Sequence, residues 1–229
     1  MDSQELLQAY NAGERDFSGL KLVELELLQL DLGDIKFSHS DLRQSRLGRT
    51  HFCRANFERC NLSESILWGS ELRSANLNHA QLREADLSSA LLSDAALEQA
   101  NLVKASLCGA NLSSANLAMA CLIDADLRSN ADQRTDLGRA NLSHADLSYA
   151  LLSGAILRSA NLSEATLCRA KLGKDYRPGS FPTDLSDANL QGADLSYADL
   201  TGVNLKEANL QGADLTGTLL HQANLYHAI

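Results

Sequence analysis

The sequence predicts an all-β solenoid coiled as a square, and three observations carry that prediction. Leu or Phe stands at every fifth position from Phe17 to Leu172, with Asp132 the one exception, and the spacing resumes from Leu185 to Leu225. A small residue, most often Ala, lies two positions before each central residue, as in Ala75, Ala80, Ala85, Ala90, Ala95 and Ala100. Two features recur at a spacing of twenty: the series Phe17, Phe37, Phe57, and the octapeptide ANLQGADL at 188–195 and again at 208–215.

A period of five matches neither the 3.6 of a helix nor the 2 of a strand. A chain that turns a corner every five residues keeps Leu and Ala inward at each repeat. The spacing of twenty makes four such units one coil, which predicts about ten square coils in a rod roughly 50 Å long at the usual strand spacing. Eight of the fourteen glycines sit two residues after a central residue, where a type II turn needs positive φ: Gly19, Gly69, Gly109, Gly154, Gly192, Gly202, Gly212 and Gly217.

The elements follow in order. Residues 1–16 do not repeat and form a cap with a short helix over about 3–11, with Ser3 as its N-cap, Leu6, Leu7 and Tyr10 on one side and Gly13 beyond its end. The first coil of the 17–172 segment carries Leu20, Leu25, Leu30 and Ile35 where later coils carry small residues, so it is expected to flare beneath that helix. Residues 128–136, RSNADQRTD, lose the central Leu and are expected to bulge outward. Residues 173–184, GKDYRPGSFPTD, hold both prolines and read as a protruding loop. Residues 185–229 continue the coil to an uncapped carboxyl end, and the expected state is a monomer or a weak end-to-end dimer.

With the unit A-(D/N)-L-x-x repeated along nearly the whole chain, the sequence resembles the pentapeptide-repeat family. That resemblance implies a right-handed quadrilateral β-helix, the handedness included. At its irregular positions the chain resembles members that promote heterocyst differentiation in cyanobacteria. The segments concerned are Ser65–Gly69 (SILWG), Val103–Leu112 (VKASLCGANL), Gln133–Gly138 (QRTDLG), Leu167–Ala170 (LCRA) and Leu190–Ala198 (LQGADLSYA). The resemblance implies a non-catalytic regulator that binds the transcription factor HetR and counters PatS-type inhibitor peptides. The alternatives are a gyrase-binding DNA mimic and a structural spacer.

Charge and composition bound the chemistry. Twenty Lys and Arg against twenty-nine Asp and Glu give a net charge of −9, which argues against direct binding of nucleic acid. The charge alternates along the chain: −6 over 1–34, +4 over 36–59, −5 over 60–127 and +3 over 128–177. A DNA mimic needs continuous negative charge, whereas alternating bands suit register against a protein partner. No apolar run approaches the ~18 residues of a membrane span, and the acidic start lacks a signal core, so a cytoplasmic protein is expected. The five cysteines form no C-x-x-C pair; Cys60 falls at a small inward position, and Cys108 and Cys168 are expected on one wall three coils apart. The six histidines show no metal-ligand spacing. No catalytic, cofactor or metal site is therefore expected, and the chain does not read as an enzyme. The candidate partner-binding residues are Trp68, Arg134, Tyr176 and Arg177, each of which departs from the repeat or lies in an expected loop.

Overall fold

The computed structural model describes residues 1–174 and 181–229. The chain winds as a four-sided coil whose walls meet only in parallel bridges between residues one coil apart. Four ladders run along the rod. The first links Asp16, Lys36, Asn56 and Asn76, the second Lys21, Asp41, Asn61 and Gln81, the third Glu26, Arg46, Ile66 and Asp86, and the fourth Asp31, His51, Glu71 and Leu91. Each continues in the same manner to the last coils.

The repeat 57–61 shows why five residues suffice. The Phe57 N–H donates to Asn76 O at 2.7 Å and the Arg59 N–H to Asn78 O at 2.9 Å, both in the next coil. The Asn61 N–H donates back to Ser40 O at 2.9 Å, and the Cys60 N–H closes a turn onto Phe57 O at 2.9 Å. One donor remains, the Glu58 N–H, and the side-chain Oδ1 of Asn56 accepts it at 2.9 Å. The Asn or Asp before each central residue thus satisfies the one N–H that ladder and turn leave over. This structural duty accounts for the Asp and Asn row.

The second residue of each regular turn has positive φ, in all eight glycines named above and also in non-glycine residues such as Arg49, Met119 and Tyr149. Glycine is therefore not required there. The left-handed conformation costs a non-glycine residue about 1–2 kcal/mol, and a ladder bond, such as Arg49 N–H to Trp68 O at 3.0 Å, holds it in place.

Central Leu and Phe residues and inward Ala residues fill the interior and are buried over most of the rod. Each buried Leu contributes about 1.5–3 kcal/mol. Phe17, Phe37 and Phe57 stack one above another with centroids 6.1 and 5.6 Å apart, and Phe52 meets Phe57 edge-on at 5.2 Å.

The first coil flares, by an identifiable device. Ser40 Oγ accepts from Leu20 N–H at 3.1 Å and donates to Phe17 O at 2.9 Å, standing where a direct turn bond forms in later coils. Ser45 and Thr50 do the same for the turns at Leu22–Leu25 and Leu27–Leu30. The hydroxyls open three turns and make room for the large residues. Helix α1, Ser3–Asn11, lies across this wider end with Leu6 fully buried, and Tyr10 Oη donates to Gly33 O at 2.9 Å.

Three expectations need correction. The N-cap of α1 is Asp2, not Ser3: its carboxylate accepts from Gln4 and Glu5 N–H while Glu5 reaches back to the Asp2 N–H, a reciprocal pair that a serine one position later cannot make. The bulge is narrower than 128–136, because Ser129 N–H still bonds Ser153 O, Thr135 is buried, and Asp136 bridges Asn111. Only 130–134 leave the coil, five residues, matching the bridge spacing of 25 in place of 20 there. A surplus of five moves every later unit on by one wall. Cys108 therefore follows the third ladder and Cys168 the second, and the two do not share a wall.

Candidate functional site

Both insertions leave the coil at one corner. The first lies between Asp126 of the third ladder and Asp136 of the fourth, the second between Lys171 of the third and Asp184 of the fourth. A single uninterrupted corner, Ser153–Gly154, separates them. The same corner carries Gly48 and Arg49, Trp68 and Gly69, Ser88 and Ser89, and Cys108 and Gly109 in the coils toward the amino end. Trp68 and Arg134 therefore stand on one edge of the rod, roughly 14 Å apart along it at ordinary ladder spacing. Tyr176 and Arg177 lie outside the described residues.

Arg134 joins the two insertions. Its Nε donates to Gly154 O at 2.7 Å, and its Nη2 donates to Ala155 O at 3.2 Å and Pro182 O at 2.9 Å. Its guanidinium carbon lies 5.1 Å from the centre of the Phe181 ring. One side chain thus holds the first insertion, the corner between and the end of the second. Burial pulls the Arg134 pKa below the ordinary guanidinium value, opposed by the charges of Asp184 and Asp136. The cation remains charged, and its contacts offset the desolvation.

The remaining contacts show how each insertion is seated. Asn130 donates to Ser89 Oγ at 3.1 Å and accepts from the Asp132 and Gln133 N–H groups, which folds the first insertion back along the edge. It fits because position 109 is glycine: a Cβ there would lie 2.7 Å or less from the Asn130 amide. Gly154 makes the same allowance for Ser129 Oγ, at 2.6 Å. Just past each insertion an inward threonine replaces the usual alanine. Thr135 accepts from Gly109 N–H at 2.9 Å, and Thr183 accepts from Gly154 N–H at 3.0 Å and lies 2.5 Å from Leu172 O. Thr183 supplies the acceptor that the ladder does not give Gly154, whereas the Gly109 N–H is shared between Thr135 and its ladder partner, Arg128 O, at 3.2 Å.

Trp68 forms a second feature of the edge. Its ring packs over Gly48, where a Cβ would come within 2.8 Å of the indole nitrogen, and Arg49 stacks on it at 4.3 Å from the ring centre. A groove of about 270 Å³ opens beside it, lined by Leu28, Gln29, Arg46, Gly48, Arg49, Ile66 and Trp68. Trp68 remains 38 % exposed, so it both covers the corner and presents an aromatic surface.

The described residues hold no cluster of His, Cys, Asp or Glu able to bind a metal ion. Burial, reinforced by Asp126, pushes the Cys108 thiol up to about 11, and burial raises Cys60 further, so neither thiol is a thiolate at neutral pH. Among the described residues no helix is long and apolar enough to cross a membrane. What the edge offers is rigid, adhesive surface: an exposed tryptophan, a clamped arginine and the exposed Phe181 ring.

Sequence reasoning singled out Trp68 and Arg134 but missed that they share an edge, and it missed Asn130, Ser129, Gly154 and Thr183. The signal was present in the spacing of twenty that runs from 68 through 88 and 108 to 128, and in Gly109 and Gly154, which face Asn130 and Ser129.

Comparison with known proteins supplies the family. The model for pentapeptide repeats matches in eight copies across residues 31–69, 54–89, 90–128, 135–173 and 183–222. The crystal structure of HetL, a pentapeptide repeat protein involved in heterocyst differentiation regulation from the cyanobacterium Nostoc sp. strain PCC 7120, is similar over the whole chain. It is 52 % identical, with a TM-score of 0.99, 100 % of this chain and 97 % of that chain covered. The plasmid-mediated fluoroquinolone resistance protein QnrB1 is 18 % identical over 87 % of this chain and 90 % of its own, with a TM-score of 0.32. A pentapeptide repeat protein of the Arabidopsis thaliana thylakoid lumen is 25 % identical over 57 % of this chain and 70 % of its own, with a TM-score of 0.22. Among curated proteins none matches the chain. The family model and the likeness to HetL give the architecture as a right-handed quadrilateral β-helix.

Proposed function

Because this chain belongs to the pentapeptide repeat family, we propose that it is a non-catalytic, protein-binding regulator of the HetL type. In this reading it acts in the cytoplasm and promotes heterocyst differentiation by binding the transcription factor HetR, countering PatS-type inhibitor peptides. The observation that carries the reading is the insertion corner, where irregular residues are held rigid by dedicated contacts while the rest of the rod repeats. Rigid aromatic and arginine side chains on a fixed scaffold are the groups that dominate protein–protein binding energy. Full-length similarity to HetL directs the choice of partner. Trp68, Arg134, Tyr176 and Arg177 are the proposed contact residues.

Calorimetry of the purified protein with HetR, with and without a PatS-derived peptide, tests this function. Saturable heat that the peptide alters is the expected result. Silence with HetR together with binding to gyrase overturns the reading in favour of a DNA mimic, and silence with both leaves a spacer.

A further inference from the structure

The groove beside Trp68 has a chemistry of its own, distinct from the Arg134 clamp farther along the edge. We propose that it binds a short acidic segment of a protein partner, seating one apolar side chain against Trp68 and Ile66 and an adjacent carboxylate on Arg46 and Arg49. The inference deepens the protein-binding reading and rests on it only in placing the occupant within a protein.

Shape and apolar surface set the first half of this recognition. Leu28, Ile66 and Trp68 supply apolar walls, and Ile66 and Trp68 are 37 % and 38 % exposed. In most repeats the position of Ile66, just before the central Leu, is polar; here the outward wall is isoleucine. About 270 Å³ holds one side chain and its backbone, less than a drug-sized ligand fills. Gly48 keeps the floor low, since a Cβ there would meet the indole at 2.8 Å.

Charge sets the second half. The lining has two arginines and no carboxylate. Arg46 faces Glu26 at 3.5 Å, but both side chains are 57 % exposed, so a ligand carboxylate competes with that loose pair at little cost. Arg49 lies over the Trp68 ring with its guanidinium carbon 4.3 Å from the ring centre, and no side-chain hydrogen bond or ion pair among the described residues engages its N–H groups, which are left to receive a carboxylate. Both arginines belong to the stretch 36–59, whose net charge is +4, while the other walls of the groove come from 1–34 and 60–127, which carry −6 and −5. A nucleic-acid strand long enough to bind would run into those acidic flanks, and two cations give it little counterion release. A short acidic segment needs only Arg46 and Arg49 to balance its charge.

Trp68 is the only tryptophan in the chain, so its emission reports the groove directly. The probe is a blocked pentapeptide, acetyl-Asp-Leu-Glu-Leu-Asp-amide, titrated into the full-length protein to about millimolar concentration, where a contact of this size saturates. A saturable emission change is expected. It weakens about tenfold in the Arg46→Glu, Arg49→Glu variant, which reverses both charge-assisted contacts. Circular dichroism establishes that this variant is folded; Arg46→Gln, Arg49→Gln serves if it is not. The Arg134→Ala protein, whose clamp is broken, is expected to bind the peptide as the unaltered protein does. Three results overturn the proposal: no saturable change, an equal response to the lysine analogue acetyl-Lys-Leu-Lys-Leu-Lys-amide, or a stronger response to oligothymidine. Failure to bind HetR with the peptide titration intact rejects the partner proposed above and leaves the groove assignment standing.

Discussion

Arg134 and Phe181, 47 positions apart in sequence, meet at the corner where both insertions leave the coil, the guanidinium carbon 5.1 Å from the ring centre. The same guanidinium bonds carbonyl oxygens of Gly154, Ala155 and Pro182, so a contact between two loops is anchored to the coil between them. This gives the edge its fixed shape.

Replacing Arg134 with Ala removes donors to three carbonyls at once. The expected loss is about 1–3 kcal/mol, concentrated in the second insertion. Limited trypsin digestion is expected to cut between 173 and 184 several-fold faster in the variant. Arg134→Lys is expected to cut nearly as fast, because a single ammonium cannot reproduce the fork.

Thr183→Val keeps the shape of the buried side chain and removes its hydroxyl, leaving the Gly154 N–H without its acceptor. A stability loss of about 1–3 kcal/mol is expected, read from urea unfolding with an unchanged denaturant slope.

Ser70 offers the opposite case. It occupies an inward alanine position on the same corner, and its hydroxyl is buried with no hydrogen-bond partner. Ser70→Ala removes a desolvated polar group without opening a large cavity. The variant is expected to be more stable, by about 1 kcal/mol or somewhat more, as a raised thermal midpoint.

Acid sensitivity follows from the aspartates paired along the walls. The hydrogen bond from Arg43 holds Asp41 below its ordinary value of 3.8, and that from Arg54 does the same for Asp34. A carboxylate whose folded pKa is depressed stabilises the protein above its unfolded pKa and loses that contribution as pH falls through the folded value. The thermal midpoint is therefore expected to be level from about pH 5 to 8 and to fall below about pH 4. Asp41→Asn is expected to make that acid fall shallower.

Most of the fold was legible in the sequence because the repeat is a local rule. Each central Leu, each small residue and each Asn or Asp does the same job in every coil, so spacing alone placed Leu77 or Ala105 inside. The flare was also readable, from Leu20, Leu25 and Leu30, although the wedge of Ser40, Ser45 and Thr50 that opens it was not. Serine looked like one more small residue, and only the geometry shows its hydroxyl inside a turn. The site was half legible. Trp68 and Arg134 stand out against the repeat, and their shared edge follows from the spacing of twenty that carries position 68 through 88 and 108 to 128, at the corner where the first insertion leaves the coil. Asn130 and Ser129 were hidden because their roles depend on glycines a coil away. The helix cap was misplaced because Asp2 and Ser3 are both good caps, and the reciprocal bond with Glu5 decides between them.

The central claim is that the insertion corner is the working face, and affinity for HetR measured on two matched variants tests it most directly. One variant carries Ala at Trp68, Arg134, Tyr176 and Arg177; the other carries Ser at Met119, 55 % exposed on the diagonally opposite corner. Both are checked for fold by circular dichroism. HetR binding measured by calorimetry is expected to weaken at least about tenfold in the first, as loss of central aromatic and arginine contacts does elsewhere, and to be unchanged in the second. Full affinity in the first variant, or an equal loss in both, would contradict that claim.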